Sequence, residues 1–144
     1  MRKNKLILIG TMIFVVVLAT GCGKKETKLS CTQTASGVDI TLNLNFKGNE
    51  INDMDVKYEM DLSEYSDEVI DLMKEQDFCE VVKNGMDELN NAFTNCKQDV
   101  SNKKLNVYST LDVNKVDNDL LEKMPSPEEA KEELEAEGYT CTIK

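Results

Sequence analysis

Residues Val38–Phe46, "VDITLNLNF", alternate without a fault between apolar and polar. Val38, Ile40, Leu42, Leu44 and Phe46 fall on one side of an extended chain. Asp39, Thr41, Asn43 and Asn45 fall on the other. A period of two belongs to a β-strand, because successive side chains point to opposite faces. The pattern resumes after the turn Lys47-Gly48-Asn49, where Met54, Val56, Tyr58, Met60 and Leu62 alternate with Asp55, Lys57, Glu59 and Asp61. Two neighbouring strands, each with one dry and one wet face, require an antiparallel sheet covered on one side only.

The covering layer is sought further along the chain. Ser66 followed by Asp67 and Glu68 reads as a helix N-cap with acids at the positive end of the dipole. Apolar residues then recur at Val69, Leu72, Cys79, Val82, Met86, Leu89 and Phe93, in steps of three and four with one interruption at Gln76. This predicts a long helix lying over the sheet. A break is expected at Asn84-Gly85, where glycine accepts a left-handed end conformation, with Met86–Phe93 as a separate turn. Shorter strands are expected at 28–34, with Leu29 and Cys31 on one face, and at 97–100. Another spans 105–113, with Leu105, Val107, Leu111 and Val113 in phase, and "YTCTIK" (139–144) closes the chain. Asp117–Met124 reads as one loose helical turn. Ser126-Pro127-Glu128-Glu129 starts a second helix, which ends at Gly138. The fold class is therefore α+β: an antiparallel sheet of about four to five strands, covered on one face by a long helix and a C-terminal helix.

Before this body stands a targeting segment. Arg2, Lys3 and Lys5 precede a fourteen-residue apolar run, Leu6–Ala19. That run is shorter than the roughly 20 residues a spanning helix needs, and it has the anatomy of a secretory signal. It ends in Leu18-Ala19-Thr20-Gly21-Cys22, which resembles the bacterial lipobox. Residues 1–21 are read as the lipoprotein signal peptide, Cys22 as the lipidated residue, 22–28 as the tether and 29–144 as a single domain. An uncleaved anchor is the alternative. Membrane attachment is expected through N-terminal acyl chains, because each buried methylene contributes about 0.8 kcal/mol and more than one chain gives a stable anchor. Lys24, Lys25 and Lys28 either touch lipid head groups or sit in water.

Removing residues 1–21 takes away three basic residues and no acid, so the net charge goes from −10 to −13. Such a charge argues against a nucleic-acid partner, since phosphate binding needs an excess of lysine and arginine. Besides Cys22 the chain holds Cys31, Cys79, Cys96 and Cys141. An even count outside the cytoplasm reads as two disulfides. The competing zinc reading lacks both a C-x-x-C pair and any histidine. The pairing Cys31–Cys141 and Cys79–Cys96 is expected. The first pair joins two short strands, each with its cysteine in phase, and the second needs the chain to reorient near Gly85.

The same absence of histidine excludes Ser-His and Cys-His nucleophile systems. Asp53 and Asp55 share a strand and Asp117 and Asp119 flank Asn118, but all stand among polar residues. General acid work instead needs a desolvated carboxyl group. Asp112-Val113-Asn114 begins like a calcium loop, which then fails at Val116, Asp117 and Lys123. The acidic face of Glu128–Glu137 reads as solvated, with Lys131 and Glu135 in helical reach. Tyr108, out of phase with its strand's core residues, is expected on the wet face. No catalytic residue, metal site or cofactor is expected.

Together the lipobox, the two hairpins, the long helix and the ending "SPEEAKEELEAEGYTCTIK" resemble the YehR-like bacterial lipoproteins. "LDVNKVD" and the terminal "EGYTC" carry the likeness most directly. The resemblance implies a curved antiparallel sheet with helices packed on it, a stabilising role for the cysteines, and no catalytic residues. The expected function is that of a lipid-anchored extracytoplasmic module, non-catalytic, binding an envelope protein or a small ligand. The alternative is an accessory subunit that presents a small ligand or peptide to a membrane complex.

Overall fold

The computed structural model describes residues 23–85 and 87–144. The expected signal peptide, residues 1–21, and the expected lipidation site, Cys22, lie outside them. Three long strands come first: β1 (Glu26–Ala35), β2 (Val38–Lys47) and β3 (Glu50–Asp61). Helices α1 (Asp67–Glu75) and α2 (Phe78–Asn84) follow, then a 3₁₀ turn (Asp87–Ala92). A second hairpin, β4 (Phe93–Ser101) and β5 (Lys104–Leu111), leads through a 3₁₀ turn (Val113–Lys115) to α3 (Asn118–Leu121), α4 (Pro127–Ala136) and β6 (Thr140–Ile143).

The strands form one antiparallel sheet in the order β4-β5-β3-β2-β1-β6. The β1–β2 hairpin is in register from Glu26↔Lys47 to Ala35↔Val38. Its two-residue turn, Ser36-Gly37, has both φ angles positive, at 54° and 79°. That turn matches the twist of the flanking strands. Asn102-Lys103 closes β4–β5 the same way, at 50° and 54°, with no glycine. The sheet has six strands rather than the four to five expected. The closing strand expected within 139–144 is β6, which pairs with β1 from Leu29↔Ile143 to Thr32↔Thr140. A reciprocal pair of backbone hydrogen bonds between Lys28 and Lys144 extends the ladder. β1 also starts earlier than the tether reading allowed, so residues 26–28 belong to the sheet.

Alternation along the strands sorts side chains as the pattern demands. Leu29, Cys31, Leu44, Phe46, Val56, Leu62, Leu105, Val107 and Leu111 are buried. The polar residues between them form an open face. Three connected parts make up the core. One lies between β1, β2 and α4, with Ala130 buried and Leu134 packed beside it. A second gathers Val56, Phe93, Leu111 and Val116. The third gathers Leu62, Ile70, Leu105 and Val107 beneath α1 and α2. Ser109 occupies an inward position of β5, is 1% exposed, and its hydroxyl has no hydrogen-bond partner among the described residues.

The covering layer departs from the expected long helix. The chain breaks at Gln76, which is extended at φ −77°, ψ 134°, and Asp77 caps a new helix through its bond from the Glu80 amide. Gln98 of β4 satisfies the backbone groups this break frees. Its Oε1 accepts from the Phe78 amide at 2.8 Å and its Nε2 donates to the Gln76 carbonyl at 2.8 Å. The break resets the helical phase. In α1 the inward residue is Ile70, 7% exposed, whereas Leu72, expected inward, is 66% exposed. Gly85 does end α2, but in the right-handed region at φ −72°, not the left-handed conformation expected. Phe93, assigned to the helical face by spacing, is the first residue of β4.

The C-terminal helix starts as its sequence dictates. Ser126 and Glu129 form a reciprocal capping box and Pro127 occupies the first turn. Lys131 and Glu135 pair at 2.6 Å one turn apart.

Candidate functional site

β2, β3 and β5 run side by side, and their register sets Val38 opposite Met60 and Met60 opposite Leu105. One step further along the same face, Tyr58 stands opposite Val107. These five side chains make an apolar floor. Phe78, Val81, Val82 and Gly85, from α2 and its cap, stand over it and enclose a cavity of about 330 Å³. Val81 is at the rim, 55% exposed. Apart from the Met60 thioether, Tyr58 brings the only polar side-chain group in the lining among the described residues. Burial pushes its phenol above the ordinary tyrosine range, and Tyr139 adds to the effect.

Two ties hold α2 over the floor. The Cys79–Cys96 disulfide links its first turn to β4, with Cα atoms 5.8 Å apart. The Gln98 side chain clamps the α1–α2 junction. The other disulfide lies elsewhere: Cys31 and Cys141 face each other across β1 and β6, with Cα atoms 4.1 Å apart. Structural disulfides belong to an oxidising, extracytoplasmic setting. No helix among the described residues is long and apolar enough to cross a membrane.

The cavity sits at one end of the sheet and the chain's N-terminal side at the other. Val38 pairs with Ala35 at the cavity end, while Glu26 pairs with Lys47 nine residues away. At about 3.3 Å per residue the two ends are about 30 Å apart. At the far end the Lys25 carbonyl accepts from the Gly48 amide, and Lys24 pairs with Glu50 at 2.6 Å.

The open face of the sheet is a hydrogen-bonded polar surface. Ser30 donates to Asn43 at 2.8 Å, and the Tyr108 hydroxyl donates to Asp55 at 2.9 Å. Lys57 and Lys104 both reach Glu59, at 2.9 and 2.8 Å. Lys104 first and Lys57 second hold the Glu59 carboxyl down at about 2. Asp61 is lowered by the Ser63 amide and hydroxyl, and Glu129 by the Ser126 amide and hydroxyl. These displacements all run toward permanent ionisation, the opposite of what a general acid needs.

Asp53 accepts from Asn45, and Asp55 is occupied by Tyr108. Asp112 accepts from the Asn114 amide at 3.1 Å, which closes a local turn. Asp117 caps α3 without a side-chain bond. Among the described residues no three acids or cysteines come together as metal ligands. The cavity itself escaped sequence reading, which treated Val38, Tyr58, Met60 and Val82 as core. The available signal was Val81, an apolar residue outside the inward series of its helix.

Neither a protein-family model nor a curated protein matches the sequence. Solved structures do match in three dimensions. The NMR structure of the E. coli YehR protein superposes with a TM-score of 0.55 at 15% identity, over 83% of this chain and 93% of that one. The chain has a YehR-like fold. The NMR structure of a protein from Streptococcus pneumoniae TIGR4 gives a TM-score of 0.48 at 14% identity, over 82% of this chain and 86% of that one. At 15% identity the likeness to YehR concerns the fold alone.

Proposed function

We propose that this chain is a lipid-anchored extracytoplasmic lipoprotein that works as a non-catalytic binding module, with the apolar cavity under α2 as its recognition element. The cavity is the observation that carries the reading: it is an apolar hollow roofed by a covalently tethered helix, and ligand sites are concave and mostly apolar. The two disulfides and the lipobox-like Leu18–Cys22 support an envelope setting. The distance of about 30 Å between the N-terminal end and the cavity supports a module that presents its site away from the lipid surface.

An accessory subunit that hands a small ligand or peptide to a membrane complex is the second reading. Leu72, 66% exposed on α1 one turn from Val69, favours it, since such a pair offers a foothold for a protein partner.

Two measurements test the proposal. Changing Cys22→Ser is expected to move the protein from the detergent phase to the aqueous phase. Unchanged partition would sink the lipid anchor and favour the uncleaved segment. A photo-crosslinking residue placed at Val81 in native membranes should capture bound species that one at Thr41, on the polar face, does not. Equal capture from both positions would count against the cavity as the recognition element.

A further inference from the structure

The composition of the cavity constrains what can enter it. Among the described residues its lining includes no acid, no lysine and no arginine. Among the described residues the charges adjacent in sequence lie outside the lining: Lys104 is paired with Glu59 on the reverse of the sheet, Asp77 and Glu80 are exposed, and Lys83 is half-buried beside Val82. A carboxylate inside would therefore be buried without a partner, and so would an ammonium group; either costs several kcal/mol. The chain's net charge of −10 adds a long-range penalty for anions. A single hydroxyl or carbonyl group costs far less to bury than a charge.

Size and preorganisation add to this. Taking water's share of liquid volume, about 30 Å³, as the unit, a cavity of about 330 Å³ has room for about eleven non-hydrogen atoms. The start of the roof is fixed in place over the floor. α2 is tied through Cys79 to β4, and its start is fixed by Gln98. A site held open in the free protein spares a ligand the ordering cost of forming it.

We propose that the cavity between α2 and the β2-β3-β5 floor binds an uncharged, apolar small molecule of roughly ten non-hydrogen atoms, such as a medium-length hydrocarbon chain ending in one hydroxyl or carbonyl group. The proposal rests on the reading of the chain as a binding module and supplies the ligand class. Val81 stands at the rim, where a charge introduced by substitution would lie beside the ligand's polar end.

The test uses the full chain in lipid nanodiscs with a diazirine-bearing 1-decanol as photoaffinity probe and mass spectrometry to map the labelled residues. Saturable labelling is expected on the Phe78–Gly85 segment and around Tyr58 and Met60, competed by unlabelled 1-decanol. Decanoate and decyltrimethylammonium, corrected for their partition into lipid, should compete at least tenfold less well. Val81→Lys should narrow the decanol-to-decanoate ratio about fivefold, and Val81→Asp should widen it by a similar factor, as a charge about 4 Å away in water allows. Because Val81 is largely exposed, both variants should fold, which the same two disulfides on peptide mapping will verify.

Labelling confined to Val69 and Leu72, equal competition by decanoate, or a ratio indifferent to the charge at residue 81 would overturn the proposal. Capture of protein alone from Val81, without decanol labelling, would likewise overturn the ligand class while leaving the binding module standing. Failure of the Cys22→Ser partition test overturns the anchor and leaves the ligand class standing.

Discussion

The two disulfides close loops of very different size, and this should separate their contributions to stability. Cys79 and Cys96 are 17 residues apart, Cys31 and Cys141 are 110 apart. In the chain-entropy model a cross-link stabilises by restricting the unfolded chain, by about 3 kcal/mol for the small loop and about 5 kcal/mol for the large one. Replacing each pair by alanine should cost about these amounts. The large-loop variant should lose somewhat more than its entropic share. Cys31 is fully buried and Cys141 nearly so, and removing their sulfurs leaves unfilled space in the core beside Leu29 and Phe46. Cys79 and Cys96 are only half-buried, so their loss should stay close to about 3 kcal/mol. A domain of this size has about 5–15 kcal/mol in all, so the Cys31→Ala/Cys141→Ala protein should be close to unfolding.

Urea unfolding of the oxidised proteins, followed by circular dichroism, measures both costs. Native-state hydrogen exchange then locates them. In the Cys79→Ala/Cys96→Ala protein the amides of α2 should lose protection while β1 and β2 keep theirs, because only α2 depends on that tether. Equal losses, or a larger loss from the small loop, would refute loop closure as the governing term. It would mean that the Cys79–Cys96 bond acts by holding the folded state together around α2.

The remaining predictions are narrower. Ser109→Ala should raise stability by about 1 kcal/mol, since the buried hydroxyl lacks a partner and removing it relieves a desolvation cost; a loss on urea unfolding would show that the hydroxyl is satisfied. Tyr58 should titrate above the ordinary value of 10.0, seen as the difference in alkaline absorbance between the wild type and Tyr58→Phe. Since the folded phenol is the weaker acid, its contribution to stability is whole below the ordinary tyrosine value and is lost as the pH rises through the folded one. A difference curve with its midpoint at or below 10.0 would contradict the burial of Tyr58 in the cavity floor.

Much of the sheet is written in local pattern. The fault-free alternation of Val38–Phe46 and the series Met54–Leu62 set which side chains of β2 and β3 face inward, and both hairpins turn where the chain has Ser36-Gly37 and Lys47-Gly48-Asn49. Strand phase is a property of neighbours in sequence, so a slip of one residue would expose the whole apolar set. Ser126, Pro127 and Glu129 fix the start of α4 for the same reason: every group in that cap lies within four residues. Tyr108 could be placed on the wet face because it is out of phase with Leu105, Val107 and Leu111.

The covering layer was not legible in the same way. Spacing carried one helical face across Gln76, although the apolar series is interrupted there and Asp77 offers a local cap. The break exists because Gln98, twenty-two residues on, bonds both backbone groups that the break exposes. That compensation is a tertiary contact; in α1, ahead of the break, Ile70 faces inward and Leu72 outward. β6, by contrast, was legible as a short strand with Cys141 in phase. The edge of β1 supplies its backbone partners, and Cys141 meets Cys31 there as the expected pairing requires. The cavity depends on both outcomes: its floor follows from strand phase, whereas its roof exists only because α2 is detached from α1 and tied to β4. Local chemistry therefore decided which side of each strand is dry, and long-range bonds decided how much of that dry surface the helices leave open.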